Sequence, residues 1–165
     1  MLELVLGGAR SGKSAFAEKQ ARLSCLPVVY VATGEARDAE MRARIEKHRR
    51  RRPDHWRTVE EPLRLAETLT REAAPEKCLL VDCLTLFLSN VLLGGAEDEI
   101  GHLLAVLSGL PGHIVMVSNE VGWGITPVNA LARRFADEQG QLNRRVAEIA
   151  EKVTLVAAGL PLRLK

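Results

Sequence analysis

The sequence predicts an α/β fold in which a mainly parallel sheet is covered by helices on both faces. Short apolar segments alternate with helical patterns along the chain, which is typical of βαβ units. The apolar segments are rich in Val, Ile and Leu, as expected of strands buried on both sides. With 165 residues, 47% hydrophobic and 27% charged, the chain has the length and composition of one globular domain.

The first elements follow from simple patterns. Segment 2–6 is apolar and predicts a buried strand. Segment 13–24 contains neither Gly nor Pro and predicts a helix, which Pro27 stops. Segment 28–32 is β-branched and apolar, so it predicts the second strand.

A second helix is predicted to begin at Asp38 and to end before Pro53. Asp38 is a favourable N-cap residue, and a proline cannot continue a helix. Met41, Ile45 and His48 fall on one face of this helix.

The middle of the chain repeats the alternation. A helix is predicted over 62–74, opened by a proline in its first turn, and a strand over 78–82. Helices over 84–93 and 97–108 follow, the first of them ended by two glycines. Segment 114–118 predicts the fourth strand.

A long helix is predicted from Pro127 to about Lys152, followed by strands over 153–157 and, shorter, 160–162. Its inward-facing residues are expected to be Leu131, Phe135, Leu142, Val146 and Ile149.

The turn after the first strand matches the phosphate-binding motif G-x-x-x-x-G-K-[ST]. It consists of Gly7, Gly8, Ala9, Arg10, Ser11, Gly12, Lys13 and Ser14. Glycines let the backbone N–H groups turn toward phosphate oxygens, and the following helix N-terminus adds positive potential. Lys13 can reach the β- and γ-phosphates, and the Ser14 hydroxyl can bind Mg²⁺. The motif in this context predicts a P-loop NTPase-like three-layer fold.

Asp82 ends the third predicted strand, where a Walker-B-like aspartate would contact the metal or nucleotide. Its alternative role is to cap the next helix, and both roles are compatible. The guanine-recognition sequence [NT]-K-x-D of regulatory GTPases is absent, because segment 119–122 lacks its Lys and Asp. The chain is therefore not predicted to be a Ras-like switch protein.

The net charge of +2 conceals an uneven distribution. Segment 37–57 contains nine basic and four acidic side chains, a net of +5, which leaves −3 for the rest. This balance, with only 4% aromatic residues, argues against a general nucleic-acid coat.

His48 lies in the most basic part of this segment. Neighbouring cations disfavour its protonated form, so it is predicted to be neutral and available as a nucleophile or base. The nearby arginines could hold a polyphosphate. The alternatives are a solvated basic face and a strip that binds RNA or DNA.

Several segments together resemble the family of bifunctional adenosylcobinamide kinases and adenosylcobinamide-phosphate guanylyltransferases. They cover nearly the whole chain: 6–14 (LGGARSGKS), 30–33 (YVAT), 38–45 (DAEMRARI), His48, 52–53 (RP), 56–58 (WRT), Glu60, 82–85 (DCLT), 89–90 (SN), 119–125 (NEVGWGI), Pro127, Asn143 and 159–162 (GLPL).

The resemblance implies two reactions in cobalamin biosynthesis. Adenosylcobinamide would be phosphorylated by ATP or GTP, and GMP would then pass from GTP to the new phosphate through a GMP–histidine intermediate on His48. Lys13 would assist catalysis, while Ser14 and Asp82 would hold Mg²⁺. The implied GTP contacts are Gly7, Gly8, Ala9, Arg10, Ser11, Gly12, Lys13, Ser14, Ala32, Thr33, Gly34, Arg49, Arg50, Arg51, Arg52, Glu60 and Asp82. Four consecutive arginines exceed the family pattern, so the individual roles of Arg50 and Arg51 stay open.

The expected organisation is a single nucleotide-binding domain over 1–165. The resemblance suggests a homo-oligomer, with a trimer as the expected state. The start of the chain lacks a signal-peptide pattern, no segment is predicted to span a membrane, and three cysteines without CxxC spacing fit the reducing cytoplasm. Two alternative functions are another P-loop small-molecule kinase and a nucleic-acid-binding ATPase. Retention of only one of the two activities is a third possibility.

Overall fold

A computed structural model describes residues 1–36 and 38–165, with only the main chain at positions 40, 41, 44, 47 and 51. Strands and helices alternate along most of the described chain. The strands are β1 (Leu2–Gly7), β2 (Val28–Ala32), β3 (Arg57–Glu60), β4 (Cys78–Asp82), β5 (His113–Asn119), β6 (Lys152–Ala157) and β7 (Leu160–Arg163). The helices are α1 (Lys13–Leu23), α2 (Ala39–Arg51), α3 (Leu65–Glu72), α4 (Leu84–Gly94), α5 (Asp98–Leu107) and α6 (Ala130–Ile149).

The strands form one sheet in the order β3-β2-β4-β5-β1-β6-β7. Every pairing is parallel except that of β6 with β7. The predicted fold class, an α/β fold with a mainly parallel sheet, is therefore confirmed. Because β5 lies between β1 and β4, the carboxyl ends of these three strands lie next to one another.

The hydrophobic core occupies both faces of the sheet. Leu4 and Leu6 of β1 belong to the larger cluster, under α3 to α6, whereas Val5 between them belongs to the cluster beneath α1. The same alternation places Tyr30 of β2 on the α1 face, beside the buried Trp56. Alternate side chains thus pack into separate layers, as the near-continuous apolar strands predict.

The edge strand β3 was not predicted from the sequence. Its four residues, Arg-Thr-Val-Glu, contain one apolar side chain and are mostly exposed. It forms because its backbone pairs with β2, from Val29 with Arg57 to Ala32 with Glu60. Main-chain pairing of this kind leaves no apolar pattern in the sequence.

The bounds of two helices also differ from prediction, and the end predicted near Lys152 is wrong, because α6 ends at Ile149 and Lys152 begins β6. The last helix begins at Ala130 rather than Pro127, because the Asn129 side chain caps it by accepting from the N–H groups of Leu131 and Ala132. The prediction that Leu131 faces inward is wrong, since it is 58% exposed. Similarly, α3 begins at Leu65, and the segment from Pro62 precedes it.

On α2, the described part of the predicted face agrees with the sequence pattern, because Ile45 and His48 are half-buried. The side chain of Met41 and the whole of Arg37 lie outside the described residues. Within the described chain, no helix is long and apolar enough to cross a membrane.

A buried ion cluster lies near the amino ends of β1, β5 and β6. Glu3 is 1% exposed, and its carboxylate lies 2.9 Å from the Lys152 ammonium and 3.7 Å from Nε2 of His113. Burial acts to raise the pKa of Glu3, but His113 and Lys152 outweigh it and hold that pKa below its ordinary value.

We expect Glu3→Gln to reduce the free energy of unfolding at pH 7 by about 2 kcal/mol, because it leaves buried positive charge without its carboxylate. Since the folded-state pKa is lowered, the carboxylate's contribution is complete above the unfolded value of about 4.3 and is lost as the pH falls through the folded value. Urea unfolding at pH 7 and pH 3 should therefore show the difference from the unmodified protein shrinking in acid.

The matched control for Glu3 is Glu148→Gln, which removes an exposed ion pair with Arg144. A change below about 1 kcal/mol is expected for such a pair. If the deficit of the Glu3 variant were the same at both pH values, the buried carboxylate would not be its cause.

Candidate nucleotide site

The predicted phosphate-binding loop joins β1 to α1. Gly12 precedes α1 with a φ of 93°, a conformation that favours glycine, and no side chain caps the helix. The first turn of α1 carries no acidic residue, so its N–H groups and positive dipole face the loop. Ala9 and Arg10 are exposed, and Gly8 is half-buried. The loop can therefore receive an anionic ligand.

The turn between β6 and β7 braces this loop. The Gly159 N–H donates to the Ser11 carbonyl at 2.8 Å, and a Cβ at Gly12 would lie 3.3 Å from the Gly159 Cα. The C-terminal segment that resembles the family thus touches the loop itself. The resemblance gave this segment no role, and its structural role is to support the loop from the outer strands.

Lys13 is buried and its ammonium donates to the Gly8 carbonyl at 3.1 Å. Burial lowers the pKa of Lys13, while Asp82 acts in the opposite direction. The side chain is therefore folded over the loop with its charge beside the carboxyl end of β4. A phosphate in the loop would replace the carbonyl as its partner.

Asp82 at the end of β4 is the meeting point of two further side chains. The Tyr30 hydroxyl donates to Oδ2 of Asp82 at 2.9 Å, and Nδ1 of His48 lies 3.8 Å from the same oxygen. Burial and the Asp82 charge both raise the pKa of Tyr30, so its hydroxyl stays protonated and donates. The structure thus brings together His48 and Asp82, 34 residues apart in the chain.

The contact with Asp82 was missed in the sequence, where the neighbours of His48 are mostly cations. Tyr30 was also missed as a site residue, although it is the one tyrosine of the chain and stands near the end of a strand. The nearby Cys83 is not a competing nucleophile, because burial and Asp82 raise the pKa of its thiol to about 11.

Arg52 fixes the end of α2 against the sheet. Its guanidinium lies 3.7 Å from the centre of the Tyr30 ring, and it donates to the His48 carbonyl at 3.1 Å and to the Thr58 hydroxyl at 3.2 Å. It is 9% exposed, unusually low for an arginine. Arg52 therefore supports the segment that carries His48.

The other arginines of the run differ. Arg50 is exposed and pairs with Glu46 one helical turn away at 3.1 Å, and Arg49 is also exposed. The side chain of Arg51 lies outside the described residues. The run is therefore not one uniform surface.

The segment after β2 lies at the same edge. Thr33 is fully buried, and its hydroxyl donates to the Cys83 carbonyl at 2.7 Å and accepts from the Cys83 N–H at 2.8 Å. The hydroxyl is thus engaged within the protein. Ala32 and Gly34 are half-buried, and exposed Glu60 pairs in register with Ala32.

A buried polar network beyond β5 completes this edge. Ser118 donates to Oδ1 of Asn143 at 2.6 Å, and Gln139 donates to both of them at 3.0 Å. Asn143 in turn donates to the Asn119 carbonyl at 3.0 Å and to Oε1 of Glu120 at 3.2 Å. Segment 119–125 and Asn143 match the family motifs, but the resemblance assigns them no role in the site. The sequence signal that could have identified them is the presence of polar residues within an apolar strand and on the inward face of a helix.

The phosphate-binding loop with its lysine after β1 and the aspartate that ends β4, at the same edge of the sheet, define a P-loop nucleotide-binding protein. The chain belongs to the cobinamide kinase / cobinamide phosphate guanyltransferase family, whose sequence profile matches residues 3–164. The family predicted from the sequence motifs is thereby confirmed.

Curated relatives align over the whole of this chain. It is 54% identical to the bifunctional adenosylcobalamin biosynthesis protein CobP of Pseudomonas aeruginosa, of which 98% is covered. It is 42% identical to the bifunctional adenosylcobalamin biosynthesis protein CobU of Salmonella typhimurium and 41% identical to that of Escherichia coli, each covered completely.

Solved structures of low identity share the fold. The flagellar accessory protein FlaH of Methanocaldococcus jannaschii is 12% identical with a TM-score of 0.55, over 99% of this chain and 77% of that one. A protein of Pyrococcus horikoshii is 14% identical with a TM-score of 0.53, over 99% of this chain and 85% of the other. These likenesses concern the architecture alone.

The two glycines at the start of the loop allow a matched test. A Cβ at Gly7 would lie 2.4 Å from Oγ of Ser11 and 2.6 Å from the Val156 carbonyl oxygen, whereas a Cβ at Gly8 meets nothing within 4 Å. We expect Gly7→Ala to lower the free energy of unfolding by about 1–3 kcal/mol, and Gly8→Ala by less than about 0.5 kcal/mol. Urea denaturation of both variants measures this. Equal losses would contradict the steric explanation.

Proposed function

We propose that this chain catalyses both reactions of its family. It phosphorylates the aminopropanol hydroxyl of adenosylcobinamide with ATP or GTP, and then transfers GMP from GTP to adenosylcobinamide phosphate. The observation that carries the second activity is His48, which approaches Asp82 at the strand end beside the phosphate-binding loop. A kinase that needed only the loop would have no use for an imidazole there.

His48 acts as the nucleophile in guanylyl transfer. Nε2 attacks the α-phosphorus of GTP, forming an N–P bond as the bond to the β-phosphate oxygen breaks and pyrophosphate leaves. A phosphate oxygen of adenosylcobinamide phosphate then attacks the same phosphorus. This second step breaks the N–P bond, yields adenosylcobinamide-GDP and restores the imidazole.

Asp82 orients the nucleophile. A carboxylate beside Nδ1 keeps the proton of the neutral imidazole on that nitrogen and leaves the Nε2 lone pair free to attack. It also stabilises the positive charge that develops on the ring as the N–P bond forms. The Tyr30 hydroxyl holds the carboxylate in place through the 2.9 Å hydrogen bond.

The loop and Lys13 bind the polyphosphate in both reactions. Loop N–H groups and the α1 N-terminus contact phosphate oxygens, and the Lys13 ammonium stabilises charge on the leaving group. The proposed GTP contacts extend to segment 32–34, Arg49, Arg52, Glu60 and Asp82, while the individual roles of Arg50 and Arg51 in the arginine run stay open. Thr33 is fully buried, and its hydroxyl, N–H and carbonyl are all hydrogen-bonded within the protein, so its role in this segment is to position Ala32 and Gly34.

The donors at this edge fit Mg²⁺. Ser14 is half-buried in the first turn of α1, and Asp82 provides a carboxylate next to the loop, which are hard oxygen ligands. Among the described residues no group of three His, Cys, Asp or Glu side chains forms a metal cage. Mg²⁺ in nucleotide sites is commonly held by one or two side chains together with the phosphates, as Ser14 and Asp82 would do here. When bound, Mg²⁺ would neutralise phosphate charge.

We also propose that one domain over 1–165 carries both activities in the cytoplasm, where its three free thiols are stable. We further propose that the chain forms a homo-oligomer, with a trimer as the expected state. The support is the exposed apolar surface on and after β7, formed by Leu160, Leu162 and Leu164. Sedimentation equilibrium measures the oligomeric state.

The covalent intermediate gives the direct experiment. Incubation with GTP labelled at the α-phosphate should yield an acid-labile protein adduct, and His48→Ala should reduce it by about 10³-fold or more because the attacking nitrogen is gone. The kinase reaction with ATP should persist in this variant, which shows that the site is still folded.

His55→Ala is the matched control, since His55 is exposed and lies seven residues further along the same basic segment. Its adduct should form at the normal rate. An undiminished adduct in His48→Ala would eliminate His48 as the nucleophile.

The arginine run gives a second test. We expect Arg52→Lys to slow adduct formation about tenfold or more. A lysine ammonium cannot replace the planar guanidinium, which contacts the His48 carbonyl, the Thr58 hydroxyl and the Tyr30 ring at the same time. Arg50→Lys, at an exposed position, should stay within about threefold. Adduct rates with labelled GTP compare the two. Equal slowing would mean that Arg50 also has a role in the site.

A further inference from the structure

Glu120, immediately after β5, is held in place from three directions. Its N–H donates to the Gly7 carbonyl at 3.1 Å, which ties it to the first residue of the phosphate-binding loop. The N–H of the preceding Asn119 donates to the Thr85 hydroxyl at 2.9 Å, which fixes the end of β5 to α4. The carboxylate itself accepts from Asn143 through Oε1.

The support behind Glu120 is unusually polar for a protein interior. Ser118 and Gln139 are 0% exposed and Asn143 is 4% exposed, yet all three are joined by hydrogen bonds. Burying such groups costs free energy unless they are hydrogen-bonded, and Oε1 of Gln139 lacks a partner among the described residues, so a network of this kind is expected where one side chain must be held in a defined position. Its outermost member is the Glu120 carboxylate.

One oxygen of the Glu120 carboxylate is available to a ligand. Glu120 is half-buried, and within the described chain no Lys, Arg or His forms an ion pair with it. Asn143 occupies Oε1, while Oε2 has no hydrogen bond to the described residues. A carboxylate that is rigidly held and still open on one side can accept a proton or a hydrogen bond from a substrate.

The strand order sets where this oxygen lies. β5 stands between β1, which leads into the phosphate-binding loop, and β4, which ends at Asp82. In the β1–β5 register Gly7 is opposite Asn119, so Glu120 is the next residue beyond the loop's origin. It therefore borders the space where the terminal phosphate of a loop-bound nucleotide would lie.

Only one of the two proposed reactions needs a base at that position. In the kinase step the attacking group is a hydroxyl, whose proton must leave as the new bond to phosphorus forms. In guanylyl transfer the attacking atoms are the unprotonated Nε2 of His48 and then an anionic phosphate oxygen, and neither of these atoms has a proton that a base beside the loop must remove. A base beside the loop would thus act on the kinase reaction alone.

We propose that Glu120 is the general base of the kinase reaction and that it binds the acceptor hydroxyl; this rests on the proposed function. The hydroxyl oxygen bonds to the γ-phosphorus while the bond from that phosphorus to the β–γ bridging oxygen breaks. The nucleoside diphosphate leaves with the electron pair, and the hydroxyl proton passes to the Glu120 carboxylate. Asn143 holds that carboxylate in place through its hydrogen bond to Oε1.

The test compares Glu120→Gln with Asp137→Asn, which removes an exposed carboxylate from α6. Two rates are measured for each: phosphorylation of adenosylcobinamide by ATP, and adduct formation from α-labelled GTP without acceptor. Glu120→Gln should lower kcat of the kinase reaction by about 10²–10⁴-fold, with the KM for ATP and the adduct rate changed less than about threefold. Asp137→Asn should leave both rates unchanged.

Kinase activity of Glu120→Gln within about threefold of the unmodified protein would overturn the proposal. An equal fall in both rates would overturn it too, because Glu120 would then only support the loop through its contact with Gly7. Glu120→Asp serves as a second variant, expected to keep part of the kinase rate since it retains a carboxylate. If the unmodified protein formed neither product, the proposed function itself would fail, a result distinct from all of these.

Discussion

The carboxylate of Asp82 is the group on which the arrangement of the candidate site depends. It accepts a hydrogen bond from Tyr30, faces His48 and lies close enough to Lys13 to influence its pKa. These side chains come from β2, α2 and the phosphate-binding loop, three parts of the chain that are distant in sequence. A negative charge at the end of a buried strand is costly unless such groups surround it, so the charge and its neighbours must be present together.

The parallel sheet explains why these groups meet at all. Strands that run the same way deliver their following residues to one edge, and the order β2-β4-β5-β1 places four such strands side by side. The residues after them supply Thr33, Cys83, Glu120 and the loop. Apolar strands therefore do more than fill the core, because their pairing sets the spacing of the polar residues beyond them.

Much of the fold and of the candidate site was predictable from the sequence, and the features that were not predicted have identifiable physical reasons. Apolar strands and the loop have local patterns, so β4 was placed at its observed bounds and Lys13 at the start of its helix. The strand β3 was missed because it depends on pairing with β2 rather than on burial. The contact of Tyr30 and His48 with Asp82 joins distant parts of the chain, and no local pattern records it. The roles of Asn143 and Gln139 depend likewise on the tertiary packing of α6 against β5.

The same strand order offers a physical reason for two activities in one site. His48 comes from α2, which follows β2 on one side of β4, whereas Glu120 follows β5 on the other side. On the proposed assignments, one attacking group is aimed at the α-phosphorus from the first side, and the acceptor hydroxyl is directed to the γ-phosphorus from the second. A single loop can then hold the nucleotide in both reactions, because His48 attacks the α-phosphorus whereas Glu120 directs the acceptor hydroxyl to the γ-phosphorus.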